Sequence, residues 1–124
     1  MTTDATEARS VFETRSFENP DDRMSFEHGH VEIVTIGGRR LLRVTFEPGF
    51  RWSVDMSPLA KTELCQMRHV FWVVSGGMNL RLADGTETSV RKGDLVTLAP
   101  NHDGWVVGPE PIVFFDIEPH PDHA

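Results

Sequence analysis

Short runs of β-forming residues, each ended by a turn of Gly, Pro, Asn or Asp, make up most of this chain. The clearest turn is Asp84-Gly85, which separates an alternating apolar and polar run at residues 78–82 from a second run at residues 86–90. Asp-Gly in this setting is a strong hairpin signal, because a type I′ turn requires positive φ at both central residues. Strands of this length and spacing predict an antiparallel sandwich or barrel. No stretch shows a convincing helical period.

Further predicted strands bracket this hairpin and end at similar turns. They cover residues 31–36, 39–46, 64–74, 95–98, 105–107 and 112–117. A closed barrel would let so many strands coexist without an exposed edge, and its mouth would give a ligand a place to bind. We expect an irregular connection at residues 51–61, where Pro58 disfavours a central strand. The predicted organisation is an N-terminal arm at residues 1–18, with a short strand at 11–17, a barrel at 19–118 and a flexible C-terminal tail at 119–124.

Charge and composition exclude several classes of protein. The 124 residues suffice for one domain with one core, and a net charge of −7 without a basic face argues against a nucleic-acid partner. No run approaches the roughly 20 apolar residues needed to cross a bilayer. The single cysteine excludes an internal disulfide and suits a reducing compartment. Because the N-terminus has no basic segment followed by an apolar stretch, we expect a cytoplasmic protein without a membrane partner.

Four metal-capable side chains lie around the predicted hairpin: Glu63, Cys65, His69 and His102. In a strand the first three would point to one face, because side chains of equal parity share a side of the sheet. His102 follows on a strand that could return beside the first. Carboxylate, thiolate and imidazole together favour Zn²⁺, with Fe²⁺, Ni²⁺ or copper as alternatives, over Mg²⁺ and Ca²⁺. Four ligands would close the site, whereas three would leave a position for substrate.

Each candidate ligand also has an interpretation without a metal. Cys65 can be a small buried residue, His69 a core imidazole, His102 a loop side chain and Glu63 an exposed carboxylate. Asp103 follows His102 and could orient its imidazole as an acceptor, although the two residues have opposite parity. The sequence leaves these alternatives open.

The same segments resemble the two motifs of the cupin superfamily. The first motif, His-x-His-x3-Glu-x6-Gly, keeps its spacing as Glu63-x-Cys65-x3-His69-x6-Gly76, with different residues at the three ligand positions. The second motif, Gly-x5-Pro-x-Gly-x2-His-x3-Asn, corresponds to residues 93–108. The frame covers about residues 30–118 and resembles a subgroup of small single-domain bacterial cupins whose biochemical role is poorly defined.

The second motif differs from the usual pattern at four positions, and two of them bear on the site. Gly104 stands where the motif has its histidine, and His102 lies two residues earlier with the same parity. Asn101 replaces a glycine and tolerates the left-handed conformation, so the turn before His102 can still form.

The resemblance implies an all-β fold, the antiparallel jelly-roll barrel or double-stranded β-helix of cupins. It also implies a homodimer, which an outward-facing Trp72 would support. We expect a metal-binding protein of unassigned chemistry that acts on a small organic acid or enol, in a pocket walled by Met67, Phe71, Val73 and Trp105. The alternative is a non-catalytic small-molecule binding or sensor cupin, with or without metal. Both an enzyme and a binding module fit the sequence.

Overall fold

The computed structural model describes residues 12–117, which form an antiparallel β-structure with two short helices. The predicted tail, and residues 1–11 of the predicted arm, lie outside the described residues. The strands are β1 (Asp22–Phe26), β2 (Gly29–Ile36), β3 (Arg39–Phe46), β4 (His69–Ser75), β5 (Gly77–Leu82), β6 (Glu87–Arg91), β7 (Leu95–Leu98), β8 (His102–Val106) and β9 (Ile112–Ile117). The helices are α1 (Trp52–Asp55) and α2 (Ser57–Ala60). No helix within residues 12–117 is long and apolar enough to span a membrane.

The strands form two sheets that share one core. The larger sheet has the order β1-β2-β3-β9-β4-β7, and the smaller sheet has the order β6-β5-β8. Neighbouring strands in both sheets pair antiparallel. The core draws Val44, Phe71 and Ile112 from the larger sheet and Met78 and Leu80 from the smaller one. Two antiparallel sheets around one apolar interior confirm the predicted all-β fold.

Alternation along β4 and β9 puts core residues and polar residues on the same inner face. Every second residue of β9, ending at Asp116, is buried. In β4, Phe71 and Val73 are buried, whereas Trp72 is 51% exposed, as its opposite parity predicts. The inward-facing side of β4 therefore runs from the core to His69 at its first position.

The hairpin at Asp84-Gly85 is present, but its turn is not the predicted type I′. Gly85 has a φ of +93°, whereas Asp84 does not have a positive φ. The Gly85 N–H donates to the Leu82 carbonyl at 2.9 Å, and the Leu82 N–H donates to the Thr86 carbonyl at 2.8 Å. This is the longer type of connection, in which a left-handed glycine follows the turn.

Three local expectations differ from the structure. The predicted strand at residues 64–74 begins only at His69, because residues 61–68 form turns and a single bridge between Cys65 and His102. The connection at 51–61 contains α1 and α2, with Pro58 in the first turn of α2, where proline is tolerated. Residues 12–17 form no strand. Strand β1 is additional: it is an exposed edge strand, and its only apolar residues, Met24 and Phe26, make an alternation too short to predict it.

Candidate metal and ligand site

Cys65, His69 and His102 come together where three segments meet, and we refer to them as the Cys-His-His cluster. His69 begins β4 and His102 begins β8. Cys65 precedes β4 and is paired with β8: the Cys65 N–H donates to the His102 carbonyl at 2.8 Å, and the Cys65 carbonyl accepts from the His102 N–H at 3.2 Å. Asn101, with φ +73°, makes the expected left-handed turn before His102. The Cys65 Sγ and one ring nitrogen of each histidine lie within 4.8 Å of one another.

Both imidazoles are held through Nδ1, which leaves their Nε2 atoms to face the cluster. The His102 Nδ1–H donates to the Ala99 carbonyl oxygen at 2.6 Å, since a carbonyl can only accept. The His69 Nδ1–H donates to Asp116 Oδ2 at 2.7 Å, and His69 Nε2 lies 3.5 Å from Cys65 Sγ. Metal-binding histidines are commonly anchored in this way, through the second nitrogen to a carboxylate or a carbonyl.

The cluster residues change one another's protonation. Burial alone would raise the pKa of the Cys65 thiol, but hydrogen bonds with His102 and His69 lower that pKa to about 6. Burial would lower the pKa of His69, but Asp116 and Cys65 raise it to about 9. In the metal-free protein, a thiolate next to an imidazolium is therefore favoured at neutral pH. Thiolate is the form of cysteine that binds metals.

The distances suit a tetrahedral transition metal. With a Zn–S bond of about 2.3 Å and Zn–N bonds of about 2.0–2.1 Å, tetrahedral angles separate sulfur and nitrogen ligands by about 3.6 Å. The distance from Cys65 Sγ to His69 Nε2 is 3.5 Å. No two of the three ligand atoms lie more than 4.8 Å apart, and side-chain shifts of about 1 Å would bring them to the tetrahedral separation of about 3.6 Å. The three residues thus fit a metal with one coordination position left open.

Glu63 does not join the cluster. Its side chain is exposed and it lies in a bend before β4, so the strand parity that would align it with Cys65 does not apply. Cys65 and His69 do converge, but through the bridge to His102 rather than along one continuous strand. Of the four predicted ligands, the structure brings three together and leaves Glu63 outside.

Asp116 is a residue of this site that the motif frame does not identify. It lies on the inner face of β9, is 4% exposed and binds His69 through Oδ2. Its second oxygen, Oδ1, is buried without a hydrogen-bond partner. The signal in the sequence is a single acid in the inward register of the otherwise apolar strand Ile112–Ile117, because an acid is costly to bury there unless it has a partner.

A cavity of about 280 Å³ adjoins the cluster and is lined mainly by apolar side chains from both sheets. The Cys-His-His cluster and Asp116 supply polar groups in its wall. Among the predicted wall residues, Met67 and Phe71 line the cavity. A concave, mostly apolar space with a few converging polar groups is typical of small-molecule sites.

Val73 and Trp105, the other two predicted wall residues, lie outside this lining. Val73 is fully buried in the core below the cavity-lining residues of β4. Trp105 follows Gly104, so its side chain has the opposite parity to the cavity-lining position, and it packs beneath the Arg51 guanidinium at 4.3 Å. Trp52, from α1, supplies a tryptophan to the cavity wall instead.

Gly104, at the position where the cupin motif has its usual histidine, faces the cavity. A Cβ atom at this position would lie 2.7 Å from Met78 Cε and 3.1 Å from Leu80 Cδ2. Both of those side chains also line the cavity. The space that a side chain would need at position 104 is therefore filled from β5.

Asp103 fastens α1 to β8 and does not orient His102. Its buried carboxylate accepts hydrogen bonds from Arg51 Nε at 3.0 Å, from the Ser53 N–H at 2.9 Å and from the Ser53 hydroxyl at 2.7 Å. Because α1 contributes Trp52 to the cavity wall, this carboxylate holds one side of the site in place.

Comparisons with known proteins identify the fold as that of a small cupin barrel. No family model matches the chain, and no curated protein matches it. Among solved structures, the oxalate decarboxylase of Lactobacillus farciminis in its formate complex is 17% identical with a TM-score of 0.58, over 77% of this chain and 30% of that one. Oxalate decarboxylase of Bacillus subtilis, studied for its Mn(II) centres, is 22% identical with a TM-score of 0.56, over 83% and 29%. Protein NMB1881 from Neisseria meningitidis is 14% identical with a TM-score of 0.54, over 97% and 99%.

These likenesses confirm the cupin resemblance at the level of fold. The chain spans about 30% of the length of the Lactobacillus farciminis decarboxylase, whereas it and NMB1881 match over nearly their whole lengths. At identities this low the likeness shows architecture and not activity. The chemistry of the site therefore has to be argued from the residues of this chain.

Proposed function

We propose that this protein is a metal-binding small cupin in which Cys65, His69 and His102 hold one divalent transition metal, with zinc favoured. The observation that carries the proposal is the anchoring of both imidazoles at Nδ1, which leaves Nε2 atoms beside the Cys65 sulfur. The Bacillus subtilis neighbour has Mn(II) centres. For this chain, however, a thiolate with two imidazoles favours zinc, copper, iron or nickel, because manganese is better suited by oxygen ligands.

Three protein ligands leave a coordination position open, as in catalytic rather than structural zinc sites. A bound metal would supply Lewis-acid polarisation of an oxygen on the ligand. The residues of the chain do the rest: Asp116 fixes the tautomer and orientation of His69, the Ala99 carbonyl does the same for His102, and the apolar walls limit water. A small organic acid or enol with an apolar body suits both the open position and the cavity.

The second candidate function is a non-catalytic binding or sensor module that uses the same cavity. The mainly apolar lining favours it, because a ligand held by apolar contacts needs no reaction and no metal. In that case ligand affinity would be the same in metal-loaded and metal-stripped protein. The cytoplasmic location expected from the single cysteine stays a prediction under both candidates.

Elemental analysis of protein purified without a nickel column tests the metal proposal. We expect about one metal equivalent per chain in the wild type, and near-background metal in the Cys65→Ser variant and in a double variant that replaces His69 and His102 with alanine. Glu63→Ala is the matched control, because the motif frame selects this residue but the structure places it outside the cluster. It should retain its metal.

Titration of the metal-free protein with cobalt(II) gives a second readout. A thiolate-to-cobalt charge-transfer band in the near ultraviolet should appear in the wild type and in Glu63→Ala, and should be absent in Cys65→Ser. Stoichiometric metal retained by the double histidine variant would contradict the proposal, whereas a wild type that holds no metal would favour the metal-independent binding module.

A further inference from the structure

One oxygen of Asp116 is a buried polar atom without a partner in the wall of an apolar cavity. Oδ2 is taken by the His69 Nδ1–H at 2.7 Å, whereas Oδ1 makes no hydrogen bond. The residue is 4% exposed and belongs to the cavity lining. Buried polar atoms in native proteins nearly always have partners, because an unpaired one loses its hydration without compensation. We therefore expect Asp116 Oδ1 to accept a hydrogen bond from a donor that lies outside β9.

The surroundings of Asp116 do not supply this donor. Its cross-strand neighbours are Leu42 on β3 and Phe71 on β4, and both are apolar. The nearest imidazole, His69, already donates to Oδ2, and the His102 Nδ1–H is bound to the Ala99 carbonyl. The donor therefore has to come from outside the protein, either from a buried water or from a ligand in the cavity of about 280 Å³ that Asp116 lines.

We propose that Asp116 Oδ1 recognises a hydrogen-bond donor on the ligand, so that the site selects small, largely apolar molecules carrying a hydroxyl or amino group. The inference rests on the proposed function in that it concerns the ligand of the same cavity, although the donor contact itself needs no metal. A hydroxyl donates to Oδ1 directly. A free carboxylate facing Oδ1 would instead bring two anionic oxygens together in a poorly hydrated space, where their repulsion is strong. Of the two expected ligand classes, an enol meets this requirement through its O–H.

Three probes with one phenyl body separate these chemistries: benzyl alcohol carries a donor, benzyl methyl ether lacks it, and benzoate is anionic. Isothermal titration of the full chain at neutral pH, once treated with EDTA and once loaded with zinc, measures their affinities. We expect the alcohol to bind about tenfold or more tightly than the ether or benzoate, as for a hydrogen bond to a charged acceptor. The preference over the ether should appear in both metal states, whereas the preference over benzoate is expected in the EDTA-treated protein, where no metal coordinates the carboxylate.

The Asp116→Asn variant tests whether Asp116 Oδ1 is the atom that causes the preference for the alcohol. An asparagine can still accept from the His69 Nδ1–H through its carbonyl oxygen, and it would then present an NH₂ donor to the cavity. The preference for the alcohol over the ether should therefore fall to near unity or reverse. Asp22→Asn, on the exposed edge strand β1, makes the same chemical change away from the cavity and should keep the wild-type preference.

The outcomes separate this inference from the metal proposal. Equal affinities for alcohol and ether in the wild type, or no binding of the alcohol, would overturn the inference and assign Oδ1 to a buried water. That comparison decides even if Asp116→Asn fails to fold. A donor preference in protein that never retains zinc would support the inference while the metal proposal fails. Zinc bound by the cluster without any preference for the alcohol over the ether would support the metal proposal and overturn the inference about Oδ1.

Discussion

Replacing Asp103 with alanine should loosen α1 from β8 and lower the stability of the whole domain. The carboxylate accepts three hydrogen bonds from α1 and the residue before it: one from Arg51 and two from Ser53. Its side chain is 7% exposed, whereas that of Arg51 is 41% exposed. Removing the carboxylate therefore strands the Ser53 donors in a half-buried place, while the Arg51 guanidinium can regain water.

The expected loss is about 3 kcal/mol of unfolding free energy. A hydrogen bond to a charged acceptor contributes about 1.5–3 kcal/mol, and the two Ser53 donors share one carboxylate, so their sum lies nearer the lower end. The half-exposed Arg51 pair adds only about 0–1 kcal/mol, because water screens it. With a urea m-value of about 2 kcal/mol/M for a domain of this size, the unfolding midpoint should fall by about 1.5 M.

Urea denaturation followed by tryptophan fluorescence measures this midpoint. Asp84→Ala serves as the control, because Asp84 is an exposed turn residue whose hydrogen bonds are local, among them one from the Thr86 N–H to Oδ1 at 2.9 Å. That control should lose less than about 1 kcal/mol. A midpoint for Asp103→Ala that falls no further than the midpoint of Asp84→Ala would refute the reasoning, since it would mean that water replaces the carboxylate at no cost.

Two further predictions concern the thiol and the assembly. In the metal-free protein the Cys65 thiol should titrate with a pKa of about 6, which ultraviolet absorbance of the thiolate measures. Because this pKa lies below that of the thiol in the unfolded chain, the thiolate stabilises the fold fully above the unfolded-state pKa. That stabilisation is lost as the pH falls through about 6. A midpoint at the ordinary value of about 8.5 would contradict this. Trp72 and Leu95 pair across β4 and β7 and are 51% and 80% exposed. Trp72→Lys should therefore turn the expected homodimer into a monomer, which light scattering measures. A wild type that is already monomeric at micromolar concentration would count against the dimer.

The strands were predictable where one face is buried, because burial imposes a period of two on the sequence. The run from Met78 to Leu82 shows this alternation, and β5 forms with Met78 and Leu80 buried. Strand β1 pairs only with β2 at the sheet edge and is exposed along most of its length. Such a strand does not need a long apolar pattern, so the sequence does not predict it.

The site was predictable in part, for reasons that differ from residue to residue. Motif spacing and strand parity together select Glu63, Cys65 and His69, and His102 is found two residues before the histidine position of the second motif. Parity holds only within a strand, and both Glu63 and Cys65 lie before β4 begins. Cys65 reaches the cluster through its bridge to His102, whereas Glu63 has no such link to β8. Asp116 lies 47 residues from His69 in sequence, and only the long-range pairing of β4 with β9 brings the two together.

The glycine at position 104 sets a trade-off between coordination and space in this site. A side chain there would meet the flexible ends of Met78 and Leu80, and both of those residues line the cavity. A histidine engineered at this position would thus add a coordinating group and reduce the room for a ligand at once. Shorter side chains at positions 78 and 80 would restore that room, so a redesign of the site would have to change β5 and β8 together.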